Sequence, residues 1–271
     1  MYNSFEKFIN LLYHHFMLNI TDRHQLILQK LKEDGKLSIP DLIEDMNVSG
    51  VTIRKDLKLL EDKGLLYRTR GGASITNPYM IERPINEKEF INSDKKQKIA
   101  EAAEKLIGSN DSIMIGSGTT VFALTNILHP KHHLTVITPA VKVTLELCNR
   151  PNIEVLQLGG LIRPNSSSVA GANAENILKN LSCGILFLGV DGIDLDFGLS
   201  ITNLAEATLN QHMIETADAV AILADSSKFG RRGLGKVCNF ESIRYIITDN
   251  QAPAKIVKQL EEKGIQVIIA D

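Results

Sequence analysis

Several features are scarce in this chain, and each shortage narrows what the protein can be. Tryptophan is absent and aromatic residues make up 5% of the 271 residues, which argues against the aromatic platforms that stack single-stranded bases. No apolar run approaches the roughly 18 residues of a membrane span, and no small-residue cleavage site follows a clean apolar core, as it would in a signal peptide. The sequence therefore predicts a cytoplasmic protein without a membrane partner.

Cysteine and net charge are also low. Cys148, Cys183 and Cys238 are odd in number, widely spaced and without a CxxC pair. This pattern predicts buried free thiols in a reducing compartment, with neither a disulfide framework nor a metal site. The formal net charge of -2 does not indicate nucleic-acid binding, although a small basic domain can be part of an acidic chain. No cofactor is expected.

One stretch that is present, residues 48–61, has the features of a DNA-reading helix. Ser49 is a good N-cap for a new helix. Apolar residues then follow at helical spacing and are expected to face a core: Val51, Ile53, Leu57 and Leu60. Polar and cationic side chains remain for the other faces: Thr52, Arg54, Lys55 and Lys58. Because such groups hydrogen-bond base edges and neutralise phosphates, we predict a recognition helix.

Two shorter helices are predicted before it. Residues 23–34 carry apolar side chains at helical spacing, and Gly35 is expected to end that helix. Ser38 is predicted to cap a second helix with Pro40 in its first turn. Its inward-facing residues are predicted to be Leu42, Ile43 and Met46. Three helices with a short connection before the last one are typical of a helix-turn-helix.

A basic hairpin is predicted after the recognition helix. Residues 65–70 alternate apolar and basic side chains, and Gly71 and Gly72 provide a turn. This hairpin is expected to be a wing that touches phosphates. Residues 49–72 contain six Lys or Arg against three acids, a modest local excess of positive charge. The residues predicted to contact DNA are Ser49, Val51, Thr52, Arg54, Lys55, Lys58, Arg68 and Arg70.

These residues resemble the DeoR-type winged helix-turn-helix of bacterial transcription regulators. The matching positions are Val48, Ser49, residues 52–57, Leu60, Glu61, Gly64, Leu66, Arg68 and residues 71–73. The resemblance implies a winged module that binds double-stranded operator DNA. The alternative interpretation of residues 23–72 is a helical packing module whose basic residues are merely solvated.

The rest of the chain predicts a larger α/β domain. Short apolar runs alternate with helical patterns, which is typical of a parallel sheet covered on both faces. The predicted strands are residues 112–115, 134–138, 153–158, 184–190, 219–224, 243–248 and 265–269. The predicted fold class is therefore α/β, with an N-terminal winged helix-turn-helix followed by a larger parallel-sheet domain.

Loops after four of these strands carry ligand-binding chemistry. In parallel sheets ligands bind at the carboxyl ends of the strands, and a Gly-rich turn into a helix offers amides to an anion. Residues 116–120 have that pattern, while carboxylates and cations in the other loops suit the hydroxyls and phosphate of a phosphorylated sugar. The predicted effector-binding residues are Ser117, Gly118, Thr119, Thr120, Gly159, Gly160, Arg163, Asp191 and Lys228.

These loops extend the resemblance to the sensor domain of DeoR regulators. The matching positions are residues 116–120, Gly159, Gly160, Gly171, residues 187–193 and residues 225–230. The resemblance implies a domain similar in fold to ribose-5-phosphate isomerase that senses phosphorylated sugars or related metabolites. This chain has Gly116 and Pro139 where family members often have Asp and Asn.

The predicted organisation has four parts. Residues 1–19 form an N-terminal extension, 20–75 the DNA-binding domain, 76–93 a linker and 94–271 the effector-sensing domain. Within the extension, residues 5–16 have the spacing of an amphipathic helix for oligomerisation or docking, or form a dispensable extension before Met17. Because one module reads few base pairs, a homodimer or homotetramer on symmetric half-sites is expected. The predicted function is a repressor relieved by a sugar phosphate.

An enzyme is the alternative. Asp191, Asp194 and Glu206 are carboxylates that can shuttle protons near a phosphate loop. The isomerases carry a Lys-Gly-Gly-Gly segment after their acidic cluster, and residues 196–199 of this chain lack its lysine. A purely architectural DNA-binding protein would leave the large second domain unexplained.

Overall fold

The computed structural model describes residues 18–69, 71–75 and 84–271. The chain divides into two compact units, Met1–Pro78 and Tyr79–Asp271. The predicted helix over residues 5–16, Met17 and Arg70 lie outside the described residues. Both parts of the predicted fold class are confirmed, with a helix-turn-helix in the smaller unit and a seven-stranded parallel sheet in the larger.

The described part of the smaller unit combines three helices with a three-stranded antiparallel sheet. Its elements are α1 (Ile20–Asp34), β1 (Lys36–Ser38), α2 (Ile39–Met46), α3 (Gly50–Asp62), β2 (Tyr67–Thr69) and β3 (Gly72–Ser74). The strands pair in the order β1-β3-β2. Side-chain oxygens of Asn19, Ser38 and Ser49 cap the three helices by accepting backbone amides. Gly35, in the left-handed region at φ 72°, ends α1 as predicted.

Two predicted core positions in this unit are wrong. Val51 is 74% exposed and Ile43 is 36% exposed. Val51 lies two residues before the buried Ile53, a rotation of about 200° that carries it to the opposite side of α3. The core itself consists of Ile27, Leu31, Leu42, Met46, Ile53, Leu57, Leu60, Leu66 and Ala73.

The larger unit begins its described part with two helices and continues into the sheet. Its helices are α4 (Ile85–Glu89), α5 (Ser93–Glu104), α6 (Thr119–Ile127), α7 (Val141–Leu147), α8 (Ala172–Leu178), α9 (Leu204–Thr216) and α10 (Ala254–Glu262). Its main-sheet strands are β4 (Ser112–Ile115), β5 (Leu134–Thr138), β6 (Ile153–Gln157), β9 (Cys183–Gly189), β12 (Ala217–Leu223), β14 (Tyr245–Asp249) and β15 (Gln266–Ala270). The remaining strands are β7 (Leu161–Arg163), β8 (Ser168–Ala170), β10 (Gly192–Asp194), β11 (Gly198–Ile201) and β13 (Gly235–Cys238).

The seven predicted strands are the seven strands of this sheet, with ends shifted by no more than two residues. They pair in parallel in the order β15-β14-β12-β9-β4-β5-β6. Alternate residues of β9 enter opposite cores, with Ile185 and Phe187 on one face and Leu186 and Leu188 on the other. The sheet is therefore buried on both faces, which explains the continuous apolar strand sequences.

The strand order reverses between β4 and β9. The chain runs from β4 outward through β5 to β6, then crosses to β9 on the other side of β4. Such a reversal separates the two connections that leave neighbouring strands and opens a crevice at their carboxyl ends. The loops after β4 and β9 flank that crevice.

The structure differs from two sequence predictions, the extent of the linker and the burial of the thiols. The sequence places residues 84–93 in a linker, whereas the structure has α4 there. The Ile85 amide donates to the Asn165 carbonyl at 2.7 Å and Ile85 is buried, so α4 belongs to the larger unit. All three cysteines are free, but the prediction of burial holds for Cys183 and not for Cys238, which is half-buried, or Cys148, which is exposed directly after α7.

Candidate DNA-contact surface and anion site

The outward side of α3 carries a continuous stripe of side chains predicted to contact DNA. Val51, Arg54, Lys55 and Lys58 are exposed, and positions three, four and seven apart share one side of a helix. The opposite side, with Ile53 and Leu57, is buried in the core. The structure therefore brings four of the predicted residues together on one surface that a DNA groove can accept.

Two further predicted residues are part of the N-terminal cap of α3. The Ser49 and Thr52 hydroxyls hydrogen-bond each other at 2.9 Å, and Ser49 Oγ accepts the Thr52 amide at 3.2 Å. These bonds fix the first turn of the recognition helix. Each hydroxyl has one proton to donate, and the bond between them uses one of the two, so one of these hydroxyls keeps its proton for a phosphate or base acceptor.

Asp56 on α3 is an anchor that the sequence interpretation left unassigned. Its buried carboxylate accepts from Arg23 Nε at 2.7 Å and from an Arg23 terminal nitrogen at 3.1 Å, while His24 Nε2 lies at 3.3 Å. Hydrogen bonding to Asp56 raises the pKa of Arg23 above its ordinary value. This bidentate pair joins α1 to α3 and thereby orients the recognition helix against the rest of the unit.

The predicted wing is the hairpin of β2 and β3. The Arg68 amide donates to Glu61 Oε1 at 2.9 Å, and the Arg68 guanidinium lies 3.8 Å from Glu61 Oε2, so the hairpin is tied to the end of α3. At Gly72 a Cβ would lie 1.7 Å from the Leu37 carbonyl oxygen. Glycine is therefore required at position 72 for β1 and β3 to pair this closely. The predicted contact residue Arg70 lies outside the described residues.

In the larger unit the predicted phosphate loop lies at the sheet's switch point. The Gly116 amide donates to the Phe187 carbonyl at 2.9 Å, and a Cβ on Gly116 would lie 2.7 Å from Leu188 Cδ1. An Asp at this position, as the family often has, would meet Leu188. At the end of β9, a Cβ on Gly189 would lie 3.3 Å from the Ser117 carbonyl oxygen, so the loop after β4 passes close to the end of β9.

Residues 117–120 form the entry to α6. Gly118 is the N-cap at φ 123°, a backbone conformation that favours glycine, and it offers no side-chain cap. Ser117 and Thr119 are half-buried and Thr120 is buried. Backbone amides at such a helix start point toward the crevice end of the strand, where an anion can accept from them.

Asp191, after β9, holds two lysines at this edge. Its Oδ1 lies 3.1 Å from Lys88 Nζ and 3.9 Å from Lys228 Nζ. Its Oδ2 accepts from the Thr202 amide at 3.1 Å and the Thr202 hydroxyl at 2.8 Å. Burial acts to raise the pKa of Asp191, but the charges of both lysines and the Thr202 bond outweigh it and lower the pKa. Asp191 is therefore an ionised, fixed carboxylate.

Two further lysines that the sequence interpretation did not include lie at this edge, Lys88 beside Asp191 and Lys96 beside Lys88. Lys88 lies on α4, and Lys96 on α5 donates to the Lys88 carbonyl at 2.6 Å. Burial lowers the pKa of Lys96 to about 8 and also lowers the pKa of Lys228, against the opposing charge of Asp191. Both missed lysines fall in or next to the predicted linker, where no strand-end pattern drew attention to them.

Arg163 and the two glycines after β6 belong to a neighbouring part of the same edge. The β7–β8 hairpin carries Arg163, whose Nε donates to Glu206 Oε1 on α9 at 3.0 Å. Gly159 and Gly160 are exposed, and β6 is two strands from β4 in the sheet, or about 10 Å at 4.8 Å per strand. The hairpin returns over β5, where Val169 donates to the Pro139 carbonyl at 2.9 Å.

The three carboxylates of the isomerase alternative each have a cationic partner. Asp191 pairs with Lys88, Glu206 with Arg163, and Asp194 with Arg232 at 2.8 Å. Burial opposes ionisation of Asp194, yet the Arg232 hydrogen bond and two backbone amides lower its pKa overall. General acid–base catalysis near neutral pH favours a carboxyl whose pKa is raised toward the working pH, whereas the pKa values of Asp191 and Asp194 are lowered.

Within residues 18–69, 71–75 and 84–271, no group of three or more His, Cys, Asp or Glu side chains is arranged to hold a metal ion. In the same ranges, every helix is too short or too polar to cross a bilayer.

Both parts of the chain match domains of known proteins. Residues 23–78 match the DeoR-like helix-turn-helix domain, and residues 91–250 match the DeoR C terminal sensor domain. A protein named as a transcriptional repressor of the aga operon in Escherichia coli O157:H7 is 36% identical, over 92% of this chain and 93% of that protein. The HTH-type transcriptional regulator YulB of Bacillus subtilis (strain 168) is 34% identical, over 92% of this chain and 96% of its own length.

A solved structure is also similar over part of the chain. Ribose 5 phosphate isomerase A from Neisseria gonorrhoeae is 17% identical, with a TM-score of 0.37 over 51% of this chain and 53% of that chain. The family matches cover both structural units and the similar regulators span nearly the full length. The chain belongs to the DeoR family of transcriptional regulators.

Proposed function

We propose that this protein is a repressor that binds operator DNA through α3 and the wing, and that a phosphorylated sugar or related metabolite in the larger unit relieves repression. The observation that carries the proposal is the pairing, in one chain, of an exposed Val51–Lys58 stripe with a cationic, glycine-lined switch point. Resemblance to the DeoR sensor domain and the repressor name of a 36% identical relative support it.

On the DNA, the side chains on α3 have two kinds of task. Arg54 projects from the first two turns, where a guanidinium can donate two bonds to a guanine edge. Lys58 lies farther along α3, and Arg68 lies on the wing. Cations at these two places neutralise phosphates without reading sequence. A homodimer or homotetramer on repeated half-sites provides the specificity that one small module lacks.

In the larger unit, the metabolite's phosphate is proposed to accept amides and hydroxyls of residues 117–120. Lys228 supplies an ammonium group from the loop after β12, and Asp191, at 3.9 Å, holds that group in place. Arg163 lies on the hairpin over β5, where it is proposed to bind the far end of the sugar. It does so either beside Glu206, with their bond intact, or after releasing that bond. Polar groups that converge in this way are what an anionic, hydroxylated ligand requires.

The mechanism requires the ligand to prefer one state of the regulator. A ligand shifts operator affinity only by as much as its own affinity differs between the DNA-bound and free states. Relief of repression therefore means that the sugar phosphate binds more tightly to the protein off DNA than on DNA.

The test combines a ligand screen with operator binding. Thermal unfolding of the full chain is measured with phosphorylated sugars of three to six carbons, since a ligand that prefers the native state raises the midpoint. Fluorescence anisotropy with DNA from upstream of the protein's own gene then gives operator affinity with and without each compound. Lys228→Ala is expected to bring the ratio of the two affinities close to one. Failure of the wild-type protein to bind any such DNA would end the proposal.

The enzyme alternative has a direct test of its own. Ribose 5-phosphate turnover in a coupled assay would assign catalysis to Asp191, Asp194 or Glu206. The paired state of all three carboxylates leads us to expect no turnover above that of buffer.

A further inference from the structure

The outward side of α9 has the composition of a protein interface. Over residues 204–212, all of which the structure describes, the exposed side chains are uncharged: Leu204, Ala205, Thr208 and Gln211. Surface helices ordinarily present charged residues to water. The exposed side chains of α10 follow that rule, since most of them are charged: Lys255, Lys258, Glu261 and Glu262. Depletion of charge marks the core of a protein–protein interface, so the outer side of α9 differs from a solvated surface.

The β7–β8 hairpin brings two exposed aliphatic side chains next to α9. Leu161 and Arg163 share one face of β7, and Arg163 Nε donates to Glu206 Oε1 on α9 at 3.0 Å. Just before β7, a Cβ on Gly159 would lie 3.8 Å from Ile177 Cδ1 on α8. Leu161 and Ile177 therefore lie on the side of the hairpin that faces the start of α9.

The segment before β13 brings a further exposed leucine to the same helix. A Cβ on Gly235 would lie 3.2 Å from the Asn203 carbonyl oxygen and 2.7 Å from Ala207 Cβ, so this segment runs along the first turn of α9. Leu234 and Leu204 come directly beside these contact positions in the chain, and both are more than half exposed. Aliphatic side chains from four separate segments thus meet around the start of α9.

The exposed aliphatic area is large enough to form the centre of an interface. Leu161 is 87% exposed, and Ile177, Leu204 and Leu234 are 36–58% exposed. Together these fractions amount to more than two complete side chains, or roughly 230 Å² at about 100 Å² of apolar area each. Each partner in a standard interface contributes about 800 Å², much of it in a polar rim around an apolar centre.

We propose that two copies of this chain associate through the α9 surface, which consists of the outer side of α9 with Leu161, Ile177 and Leu234. This proposal deepens the proposed function, and rests on it in that repeated half-sites require more than one copy. The surface belongs to the larger unit, so association through it does not depend on the presence of DNA.

The chemistry of the α9 surface favours a second copy as its partner. In a two-fold interface, residues near the axis face their own counterparts, so charged residues of one sign repel each other there. An uncharged, aliphatic surface is compatible with itself. Ala205 and Thr208 are small, which allows two α9 helices to pack at an interaxial distance of about 8–10 Å.

The experiment places a carboxylate on the α9 surface of the full-length protein. Leu204→Glu suits the first turn of a helix, where an acidic side chain is favourable, so the fold is expected to persist. Leu161→Glu tests the hairpin independently. Leu145→Glu is the matched control, because Leu145 is 69% exposed on α7, a helix that packs on the other face of the sheet from α9. Sedimentation velocity over a concentration series, without DNA, gives the mass of each protein.

Wild type is expected to be self-associated. Leu204→Glu and Leu161→Glu should each give a species of half the wild-type mass, with self-association weakened about a hundredfold or more. The effect is large because each substitution occurs twice in a two-fold interface and buries a carboxylate without a partner. Leu145→Glu should match wild type. Hydrogen exchange of amides 161–163 and 204–212 should slow as the concentration of wild type rises.

Two results would overturn the inference. A monomeric wild type throughout the series would leave the α9 surface to a different partner. A mass of Leu204→Glu and Leu161→Glu equal to that of wild type would place self-association on another surface. Operator binding, measured separately by anisotropy, distinguishes these failures from failure of the proposed function. A wild type that associates through α9 but binds no DNA from upstream of its own gene would end the proposed function and leave this interface in place.

Discussion

Arg23→Ala is the substitution whose consequence follows most directly from the structure. Arg23 makes two hydrogen bonds to Asp56, and its other terminal nitrogen donates to the Leu18 carbonyl at 2.7 Å. Asp56 is 1% exposed. Without the guanidinium, the Asp56 carboxylate stays buried on the recognition helix, with His24 Nε2 at 3.3 Å from Oδ1.

The size of the effect follows from that burial. Removing one partner of a buried ion pair costs about 3–5 kcal/mol because the remaining charge is uncompensated. A folded unit of roughly 80 residues is stable by about 4–12 kcal/mol. The substitution therefore removes a large part of the stability of the DNA-binding unit, and raises its unfolded fraction by about a hundred- to several thousand-fold at 1.4 kcal/mol per factor of ten.

The assay is hydrogen exchange of amides in α1 and α3 of the full-length protein. Exchange through global opening of the unit speeds up by the same factor as the unfolded fraction. Lys30→Ala is the matched control, since Lys30 also joins a helix to an Asp at 2.7 Å, but the side chains of Lys30 and Asp45 are 31% and 39% exposed. Exposed pairs contribute about 0–1 kcal/mol, so this control should change exchange less than about sixfold.

A double substitution distinguishes charge from packing. Replacing both members of a buried pair by apolar residues is often neutral or stabilising. Arg23→Met with Asp56→Leu should therefore recover most of the protection that Arg23→Ala loses. The reasoning is refuted if Arg23→Ala changes exchange no more than Lys30→Ala does.

Three other outcomes are expected. Arg54→Ala should weaken binding to the preferred operator by about 1–3 kcal/mol through loss of a base contact, whereas Lys58→Ala should weaken binding to all sequences and reduce the salt slope by about one. Anisotropy over a salt series separates them, and equal loss of specificity would contradict this division. Val51 is expected to contact a thymine methyl group. Replacing that thymine by uracil should therefore weaken operator binding of the wild-type protein about fourfold, and should leave operator binding of Val51→Ser unchanged. Equal losses of affinity in the two proteins would exclude the contact. Lys96 loses its proton at a pKa of about 8 in the folded chain and at its ordinary 10.5 when unfolded. The unfolded chain therefore binds more protons between those values, and the free energy of unfolding should rise by up to about 1.36 kcal/mol per pH unit there. Denaturant titrations should show this rise relative to Lys96→Met, and parallel curves would refute it.

The sheet could be predicted closely because its physical cause is local in sequence. A strand buried on both faces needs a continuous apolar run, as in residues 184–190, and the predicted and observed ends differ by one residue. Helix starts at Ser38 and Ser49 were predictable for a similar reason, since the capping oxygen and the backbone amide that donates to it lie three residues apart.

The pairings that organise both sites have no such local signal. Asp56 meets Arg23 across 33 residues, and Asp191 meets Lys88 across 103 residues. Whether a charged residue is exposed or anchors a fold depends on which surface it faces after folding. Val51 shows the same limit for an apolar residue. The helical pattern predicted a core position for it, but its position around the helix places it on the exposed side of α3.

Asp191 also determines which part of the sensor edge can respond first to an anion. Its Oδ2 accepts from the amide and the hydroxyl of Thr202, two bonds that fix the carboxylate at the end of β9. Its Oδ1 contacts Lys88 and Lys228, and those ammonium groups are what a phosphate attracts. Lys228 follows a central strand of the sheet, whereas Lys88 lies on the five-residue helix α4 outside it. Since the end of β9 is fixed and α4 is a peripheral element, redistribution of charge at this site should be expressed in the position of α4.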